Sequence, residues 1–380
     1  MRILLITHET SRTGAPRVAA VVARGLLQDG HDLHVEARSR GPLLPEFESI
    51  APTNLEFLFR VRRRLRKIRG AGLLAFLLDS AQALGAILRW RPDLVYVNST
   101  AAAVYVRPAL WLRRRVILHV HESGEVASEF LAQARLSSLP QGVEVVACSP
   151  SVKSALTSML PGIADRVHMI ASVPDDAIVL ELGGQIADWD VANDDLVVGG
   201  CGAVEQRKGV DLWMEAACRV RSHRPEVRFV WIGDGDPPEG ADAAGVEFIG
   251  PRANPYPYIR RFDVFTLPSR DDPFPLVVLE AMLLARPVVA FDVGGVSQQV
   301  GEAGIIAAAA DVDAFARAIG FLLRDADERR RIGEAARQRA VDHFSTAAFL
   351  RSISELVDES PPIQAADGPR GDRDPSASQI

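Results

Sequence analysis

Short apolar runs rich in β-branched residues alternate with helical segments along most of this chain. Ten such runs are recognisable, and each is only four to six residues long. Continuous apolar strands separated by helices are typical of parallel sheets covered on both faces. The alternation therefore predicts an α/β fold built from doubly wound parallel sheets. The runs are 2–7, 94–97, 116–120, 143–147, 167–170, 196–199, 227–232, 246–249, 264–267 and 287–291.

The strand–helix pattern stops and restarts once, at the polar stretch 174–195. A chain of 380 residues is long enough for two domains of roughly 100–200 residues each. We therefore predict a first domain over residues 1–173 and a second over 174–344, with their strand ends facing a common cleft. We expect the helical segment 345–357 to pack back on the first domain. The final residues, 360–380, are rich in Pro, Gly, Ser and Asp, a composition that predicts disorder.

Charge is divided unevenly between the two predicted domains. Residues 1–170 carry 22 Lys and Arg against 14 Asp and Glu, and residues 171–380 carry 21 against 35, so the net charge of −6 combines +8 with −14. This asymmetry indicates two bodies with different partners. Hydrophobic content of 48% and charged content of 24% exclude disorder of the whole chain.

The three cysteines, Cys148, Cys201 and Cys218, show no metal-ligand spacing. Cys148 and Cys201 end apolar runs, so we expect them to be buried free thiols, which suit a reducing cytoplasm.

The N-terminal segment MRILLITHE has one basic residue and too short an apolar run for a signal peptide. We interpret it as the first strand.

The turn after this strand brings small residues to a helix start. Gly14 and Ala15 precede Pro16, a residue that suits the first position of a helix. Such a turn either is purely structural or lets backbone N–H groups approach an anion. The dinucleotide fingerprint G-x-G-x-x-G is absent from it, which argues against a standard NAD-binding start.

Two cations, Arg207 and Lys208, follow the first strand of the second domain, in the segment GGCGAVEQRKGVDLW. They stand at a helix N-terminus, where the helix dipole already disfavours positive charge. A polyanion in the same site would make the arrangement favourable, because Lys is a compact charge for phosphate and Arg adds a planar fork. A solvated pair of loop residues is the alternative interpretation.

The segment LPSRDDPFPLVVLEAM places two acids around another helix start. Asp272 precedes the helix and Glu280 lies one turn inside it, while the free N–H groups of Leu276 and Val277 form an anion seat between them. A carboxylate at Glu280 could accept hydrogen bonds from two adjacent sugar hydroxyls. The two acids would bracket a nucleotide sugar, although acids near a helix start also stabilise the helix without a ligand.

Two histidines, His119 and His121, lie near the end of one predicted strand, and alternation puts them on the same face. His121 is nearer the following loop, so it is the better candidate for the cleft, with a structural histidine as the alternative. The His-x-His spacing also suits a metal. No Cys or acid cluster completes such a site, so we predict no metal.

Together these segments resemble the family-4 glycosyltransferases, retaining enzymes of the GT-B fold, over residues 1–357. The stretch from Gly202 to Gly209 resembles the family's G-x-x-x-x-x-K-G donor-phosphate loop, and that from Asp272 to Glu280 resembles its E-x-F-G-L-V-x-L-E element. The pattern DPFPLVVLEAM is similar to that of bacterial members that build surface polysaccharides. The resemblance implies two Rossmann-like domains facing a cleft. It also implies metal- and cofactor-independent transfer of a hexose from a nucleotide-diphosphate sugar to a glycan or lipid-linked acceptor.

The resemblance also implies roles for individual residues. Lys208 would grip the donor diphosphate, Asp272 would lie near the transferred sugar, and His121 would contact that sugar. Glu280 would bind the nucleotide ribose. The full donor-binding set would be Gly14, Ala15, Arg207, Phe274, Pro275, Leu276, Val277 and Glu280.

Three positions depart from the family pattern: Ala203 stands where an arginine is common, Asp272 is shorter than glutamate, and Gln298 replaces a glutamate. Two other functions stay open, the second of them because of these departures. One is a nucleotide-sugar 2-epimerase-like isomerase or hydrolase, which needs further catalytic carboxylates and histidines. The other is a binding subunit that shares the scaffold without catalysis.

A basic run over residues 60–69, with seven cationic side chains, precedes the apolar segment 71–88. Such a helix suits an anionic inner-leaflet surface, and a solvated helix face is the alternative. Nucleic acid is the other polyanion that such a run could bind, but no aromatic residues interleave the charges to support it, so we predict no nucleic-acid partner. Polar residues such as Asp79 argue against 71–88 as a membrane span. We therefore expect a cytoplasmic protein that contacts the inner face of the membrane peripherally.

Overall fold

A computed structural model describes residues 1–56, 64–65, 68, 70–189, 192 and 195–359. Seven of the ten residues of the predicted basic run 60–69, and all of the predicted disordered tail 360–380, lie outside the described residues. The strands are β1 (Arg2–Thr7), β2 (Asp32–Ala37), β3 (Thr53–Leu55), β4 (Leu94–Asn98), β5 (Arg115–Val120), β6 (Val143–Ala147), β7 (Val167–Met169), β8 (Val197–Cys201), β9 (Arg228–Ile232), β10 (Val246–Phe248), β11 (Val264–Leu267), β12 (Val288–Phe291) and β13 (Ile305–Ala307).

Helices connect successive strands in the described chain, and short 3-10 segments occupy Thr100–Tyr105, Ala164–Arg166 and Gln206–Lys208. The α-helices are α1 (Gly14–Gln28), α2 (Leu44–Ile50), α3 (Gly72–Trp90), α4 (Val106–Trp111), α5 (Gly124–Gln133), α6 (Pro150–Met159), α7 (Asp176–Gly183), α8 (Val210–Arg221), α9 (Ala241–Ala244), α10 (Tyr256–Arg261), α11 (Leu276–Leu283), α12 (Val296–Val300), α13 (Val312–Arg324), α14 (Ala326–His343) and α15 (Thr346–Glu359).

The strands form two parallel sheets. The first has seven strands in the order β3-β2-β1-β4-β5-β6-β7, and the second has six in the order β10-β9-β8-β11-β12-β13. Central strands such as β4 are buried along their whole length, as continuous apolar runs require when helices cover both faces. The predicted α/β fold with two doubly wound parallel sheets is confirmed.

In each sheet the direction in which the strands are added reverses at one point, and this point indicates where a ligand site is expected. The reversal lies between β1 and β4 in the first sheet and between β8 and β11 in the second. Ligands of open parallel sheets bind in the crevice beyond the carboxyl ends of the strands at this point. The loops that follow β1, β4, β8 and β11 are therefore the ones to examine.

The last helix, α15, returns to the first sheet's side of the molecule and packs against α1. A Cβ added at Gly25 of α1 would lie only 2.4 Å from Cδ2 of Leu350, so the two helices are in close contact. At the start of α15, Thr346 donates its hydroxyl to the Pro174 carbonyl at 3.1 Å. The chain thus crosses between the two halves twice, at 174–176 and at 345–346.

A buried ionic network lies under α3. Arg38, which follows β2, is 2.7 Å from Asp79 of α3 and 3.2 Å from Glu56, and it donates to the Ala101 carbonyl at 2.6 Å. The buried carboxylate of Asp79 ties α3 to the sheet, because a charge removed from water requires an ionic partner.

Of the helices in the described residues, α3 alone has the length and apolar composition of a membrane span, and 28% of its 18-residue apolar window is buried.

Glu36, on β2 beside this network, gives a prediction for stability. Burial, together with the charge of Glu56, raises its pKa from 4.5 to about 7. Because the folded state holds this proton more tightly than the unfolded chain, stability is lost as pH rises from about 4.5 through about 7. Glu36→Gln removes the ionisable group, so its free energy of unfolding should exceed that of the wild type at pH 8 by roughly 3 kcal/mol and match it near pH 4.

Urea unfolding at pH 4 and pH 8 measures this difference. The exposed Glu48 on α2 provides a matched control, and Glu48→Gln should leave the wild-type pH dependence unchanged. A Glu36→Gln variant that tracks the wild type at both pH values would show that folding does not raise the pKa of Glu36.

Candidate active site

Lys208 and Asp272 meet above the centre of the second sheet. They follow β8 and β11, which are neighbours in that sheet. Lys208 Nζ lies 2.6 Å from Asp272 Oδ2, and the two side chains are 15% and 10% exposed. Each charge neutralises the other in this partly buried setting. An ammonium group has three N–H donors, so Lys208 can hold Asp272 and still bind a phosphate oxygen.

Two glycines allow these loops to approach each other. Gly209 has φ +68°, and a Cβ added there would lie 1.9 Å from the Pro268 carbonyl oxygen. Gly294 has φ +54°, and a Cβ there would lie 1.9 Å from the Asp272 carbonyl oxygen. Both positions combine the left-handed backbone that favours glycine with a contact that no side chain can share. The glycines therefore fix the positions of Lys208 and Asp272.

The helix α11 begins beside this pair and directs free N–H groups into the cleft. Within the described part of the chain, no acceptor meets the N–H groups of Leu276 and Val277. Leu276, Leu279 and Leu283 of α11 are buried, and so are Glu280 and most other residues of this helix. A Cβ added at Gly14 would lie 3.9 Å from the Leu276 side chain. The small-residue turn of the first half therefore faces this helix start across the cleft.

Arg207 and Lys208 do not share a partner. Arg207 is 43% exposed, and its guanidinium donates to the Asp271 carbonyl at 3.0 Å and to Glu205 Oε1 at 2.9 Å. The predicted helix opens directly after them, at Val210 of α8. Lys208 is thus a partly buried cation at the cleft, whereas Arg207 is an exposed cation on the outer side of the loop.

Asn98 joins two of the predicted site elements. It is the last residue of β4 and is fully buried. Its Nδ2 donates to the Ala15 carbonyl at 2.9 Å, and its Oδ1 lies 3.0 Å from His121 Nε2. One side chain therefore holds both the turn at the start of α1 and the histidine at the end of β5.

This network settles the state of His121. Because Asn98 Oδ1 only accepts, His121 Nε2 carries the proton, and Nδ1 accepts from the Ser172 hydroxyl at 3.2 Å. Burial, together with the neighbouring His119 ring 4.0 Å away, holds the pKa of His121 well below 6.5. As predicted, the two histidines share a face. Both nitrogens of His121 are used inside the protein, however, so the side chain is a neutral wall of the site and has no free nitrogen to act as a base.

Glu280 meets a residue of the first half. Arg17, at the end of the first turn of α1, places Nη2 2.5 Å from Glu280 Oε1 and also donates to the Tyr256 hydroxyl. The Glu280 side chain is 2% exposed and that of Arg17 is 26% exposed. An ion pair thus crosses the cleft between α1 and α11.

Three residues of the site, Asn98, Arg17 and Ser172, are not among those predicted from the sequence. Asn98 directly follows the predicted strand 94–97, so the rule that ligands lie beyond strand ends could have identified it. Arg17 lies three residues after Gly14, and nothing in its local pattern distinguishes it from a surface arginine. Among the described residues, no group of three or more His, Cys, Asp or Glu side chains could hold a metal ion.

Each half of the chain matches a known protein family. The family described as "Glycosyltransferase Family 4" matches residues 12–173, and the family "Glycosyl transferases group 1" matches residues 195–325. The chain belongs to the family-4 glycosyltransferases. The resemblance found in the sequence motifs is therefore confirmed, and the matches include the turn at Gly14 and the loops that carry Lys208 and Asp272.

Curated relatives of this family-4 chain include enzymes of several pathways. The lipopolysaccharide core biosynthesis glycosyltransferase LpsE of Rhizobium meliloti is 27% identical over 53% of this chain and 63% of its own length. The D-inositol 3-phosphate glycosyltransferase of Stackebrandtia nassauensis is 33% identical over 43% of this chain and 41% of its own length. The chain thus spans less than two thirds of the length of these relatives.

Solved structures show the same fold over nearly the whole family-4 chain. HepE of Anabaena, crystallised with UDP and glucose, superimposes with a TM-score of 0.74 at 21% identity, covering 94% of this chain and all of HepE. WaaG, a glycosyltransferase involved in lipopolysaccharide biosynthesis, gives a TM-score of 0.68 at 15% identity, over 94% of this chain and all of WaaG. At these identities the likeness establishes the GT-B fold.

Proposed function

We propose that this chain transfers a hexose from a nucleotide-diphosphate sugar to a glycan or lipid-linked acceptor, with retention of configuration, in surface polysaccharide synthesis. The observation that carries the proposal is the Lys208–Asp272 pair beside the free N–H groups of Leu276 and Val277, opposite Gly14. The first domain, 1–173, would bind the acceptor and the second, 174–344, the donor. The names of LpsE, WaaG and the UDP-bound HepE support a nucleotide donor and a glycan product.

The site chemistry suits departure of a diphosphate. Transfer breaks the bond between the sugar C1 and a phosphate oxygen, leaves the electron pair on the diphosphate, and joins C1 to an acceptor hydroxyl oxygen, whose proton is released. Lys208 and the N–H groups of Leu276 and Val277 would stabilise the negative charge that grows on the departing diphosphate. Asp272 would lie beside the positively charged sugar. Arg207 would neutralise the donor from the outer side of the loop.

Other residues of the proposed site position the donor. Gly14 and Ala15 would allow its phosphates to approach α1, and Phe274 and Pro275 would shape the turn that presents the helix start. Glu280 would accept hydrogen bonds from the ribose hydroxyls. His121, as a neutral group locked by Asn98, would form the wall beside the transferred sugar without exchanging a proton.

Donor binding tests this proposal. Thermal unfolding with UDP, GDP and ADP, followed by their sugars, should show stabilisation by one base, by roughly 2.7 kcal/mol at a ligand concentration of 100 times Kd. The same shift should persist in EDTA, because protein cations take the place of a divalent ion. Absence of stabilisation by every nucleotide and nucleotide sugar would contradict the proposal.

We propose further that α3 contacts an anionic membrane surface. Its exposed stripe of Leu74, Leu77, Ala81 and Leu88 runs the length of the helix, and Trp111 at the end of the neighbouring α4 is 74% exposed. Apolar stripes flanked by basic residues and tryptophan suit the membrane interface. In the sequence, the basic run 60–69 immediately precedes this helix, which supports anionic lipid as the partner and a location on the cytoplasmic face.

Flotation with phosphatidylglycerol-containing vesicles tests this contact. The double variant Leu74→Gln, Leu77→Gln should reduce the bound fraction severalfold, because it removes exposed apolar area from the stripe. Leu180→Gln on α7 is a matched control, since Leu180 is also an exposed leucine on a helix. A wild-type protein that stays unbound at low salt would contradict the membrane proposal and leave the donor site unaffected.

A further inference from the structure

Arg17 makes a contact that the donor site alone does not explain. Its guanidinium lies in the first half of the chain, yet its partners Glu280 and Tyr256 both lie in the second. Glu280 Oε1 has no other ionic partner among the described residues. The Glu280 carboxylate therefore pairs with a guanidinium from the opposite side of the cleft.

The contact leaves Glu280 free to bind a ligand through its second oxygen. Arg17 Nη2 approaches Oε1, and a carboxylate offers lone pairs on both oxygens. A buried carboxylate rotates readily about its last bond unless a partner fixes it. Arg17 supplies that partner only when α1 lies against α11, as it does where Gly14 faces Leu276.

We propose that Arg17 is a positioning residue: it turns Glu280 toward the donor ribose and makes recognition of the ribose depend on closure of the cleft. The inference rests on the proposed assignment of Glu280 to the ribose. Separation of the two halves would remove Arg17 and release Glu280, so the nucleotide would be held fully only in the closed state. Release of the spent nucleotide would follow opening for the same reason.

The preference of the protein for a ribonucleotide over its dideoxy analogue tests the positioning role of Arg17. Calorimetry on the full chain would compare the Kd of the stabilising nucleoside diphosphate, found among UDP, GDP and ADP, with that of its 2′,3′-dideoxy analogue. The wild type should prefer the ribonucleotide by roughly 10- to 100-fold, as expected for hydrogen bonds to a charged group. Arg17→Met and Glu280→Gln should each reduce the preference to below about 3-fold, and the double variant should reduce it no further.

Arg24→Met provides the matched control. Arg24 lies on the same helix, has 27% exposure, and pairs with Glu46 and Asp175, so loss of a generic ion pair near the cleft would affect both arginine variants equally. Arg24→Met should retain the wild-type preference. Arg17→Lys, which keeps the charge without the planar fork, should give an intermediate preference and serves if Arg17→Met does not fold.

The outcomes distinguish the positioning role of Arg17 from the assignment of Glu280 to the ribose. An Arg17→Met or Arg17→Lys variant that keeps the full preference, while Glu280→Gln loses it, would overturn the positioning role and leave the ribose site intact. A Glu280→Gln variant that keeps the full preference would instead overturn the ribose assignment in the proposed function. Equal losses in the Arg17 and Arg24 variants would assign the effect to general cleft stability and also overturn the positioning role.

Discussion

Replacing Lys208 by alanine is expected to lower kcat by roughly 10²–10³-fold, the range seen when one preorganised group that stabilises developing charge is removed. Lys208 Nζ is the partly buried cation at the cleft, and its 2.6 Å contact with Asp272 fixes it before any donor arrives. Arg207 cannot substitute for it, because its guanidinium is turned to Asp271 and Glu205. The loss should therefore appear in turnover, measured as release of nucleoside diphosphate.

A control separates chemistry from folding in this variant. Arg219→Ala removes an exposed cation on α8, the helix that the Lys208 loop precedes, and breaks its pairs with Glu215 and Asp313. It should retain full turnover, since exposed pairs contribute little. Circular dichroism of Lys208→Ala should match the wild type. A Lys208→Ala enzyme with near-normal kcat would remove the lysine from the reaction.

Replacing Gly209 by alanine is expected to damage both stability and transfer. The added Cβ meets the Pro268 carbonyl oxygen at 1.9 Å in a backbone with φ +68°. Left-handed strain and overpacking should together lower the free energy of unfolding by about 3 kcal/mol. Relief of the clash moves the Lys208 loop away from Asp272, and a displacement of about 1 Å can reduce transfer by roughly 10²-fold. Urea unfolding and the nucleotide-release assay measure the two effects.

Gly240→Ala isolates the backbone contribution. Gly240 has φ +85°, also left-handed, but a Cβ added there has nothing within 4 Å. This variant should lose only about 1–2 kcal/mol of stability and keep normal transfer. If Gly209→Ala and Gly240→Ala behave alike in both assays, then the contact with Pro268 does not set the position of Lys208.

Local sequence patterns predicted most of the fold because buried parallel strands read as continuous apolar runs. All ten predicted runs are strands, whereas β2, β3 and β13 were missed. In β2, the sequence DLHVEA alternates apolar with charged or polar residues, and the structure buries His34 against Trp90 and Glu36 against Gln82, both on α3. Burial of such residues depends on partners distant in the chain, such as Gln82, which a local pattern does not reveal.

The candidate site was predictable to the same extent. Lys208, Asp272 and the helix start at Leu276 lie where strand ends and helix starts place them, and the structure brings them together. The side-chain environment of His121 was not predictable, because its partners Asn98 and Ser172 lie 23 and 51 residues away. The pairing of Arg17 with Glu280 joins opposite sides of the cleft, and no local pattern in either half indicates it.

Product analysis tests the central claim of glycosyl transfer most directly. The full chain would be incubated with the nucleotide sugar that stabilises it, a lipid-linked or oligosaccharide acceptor, and EDTA, and the product would be examined by NMR of the anomeric proton. Transfer predicts equimolar nucleoside diphosphate and glycosylated acceptor, with the anomeric configuration of the donor. Free epimerised sugar, or tight donor binding with no transfer to any acceptor, would contradict the account.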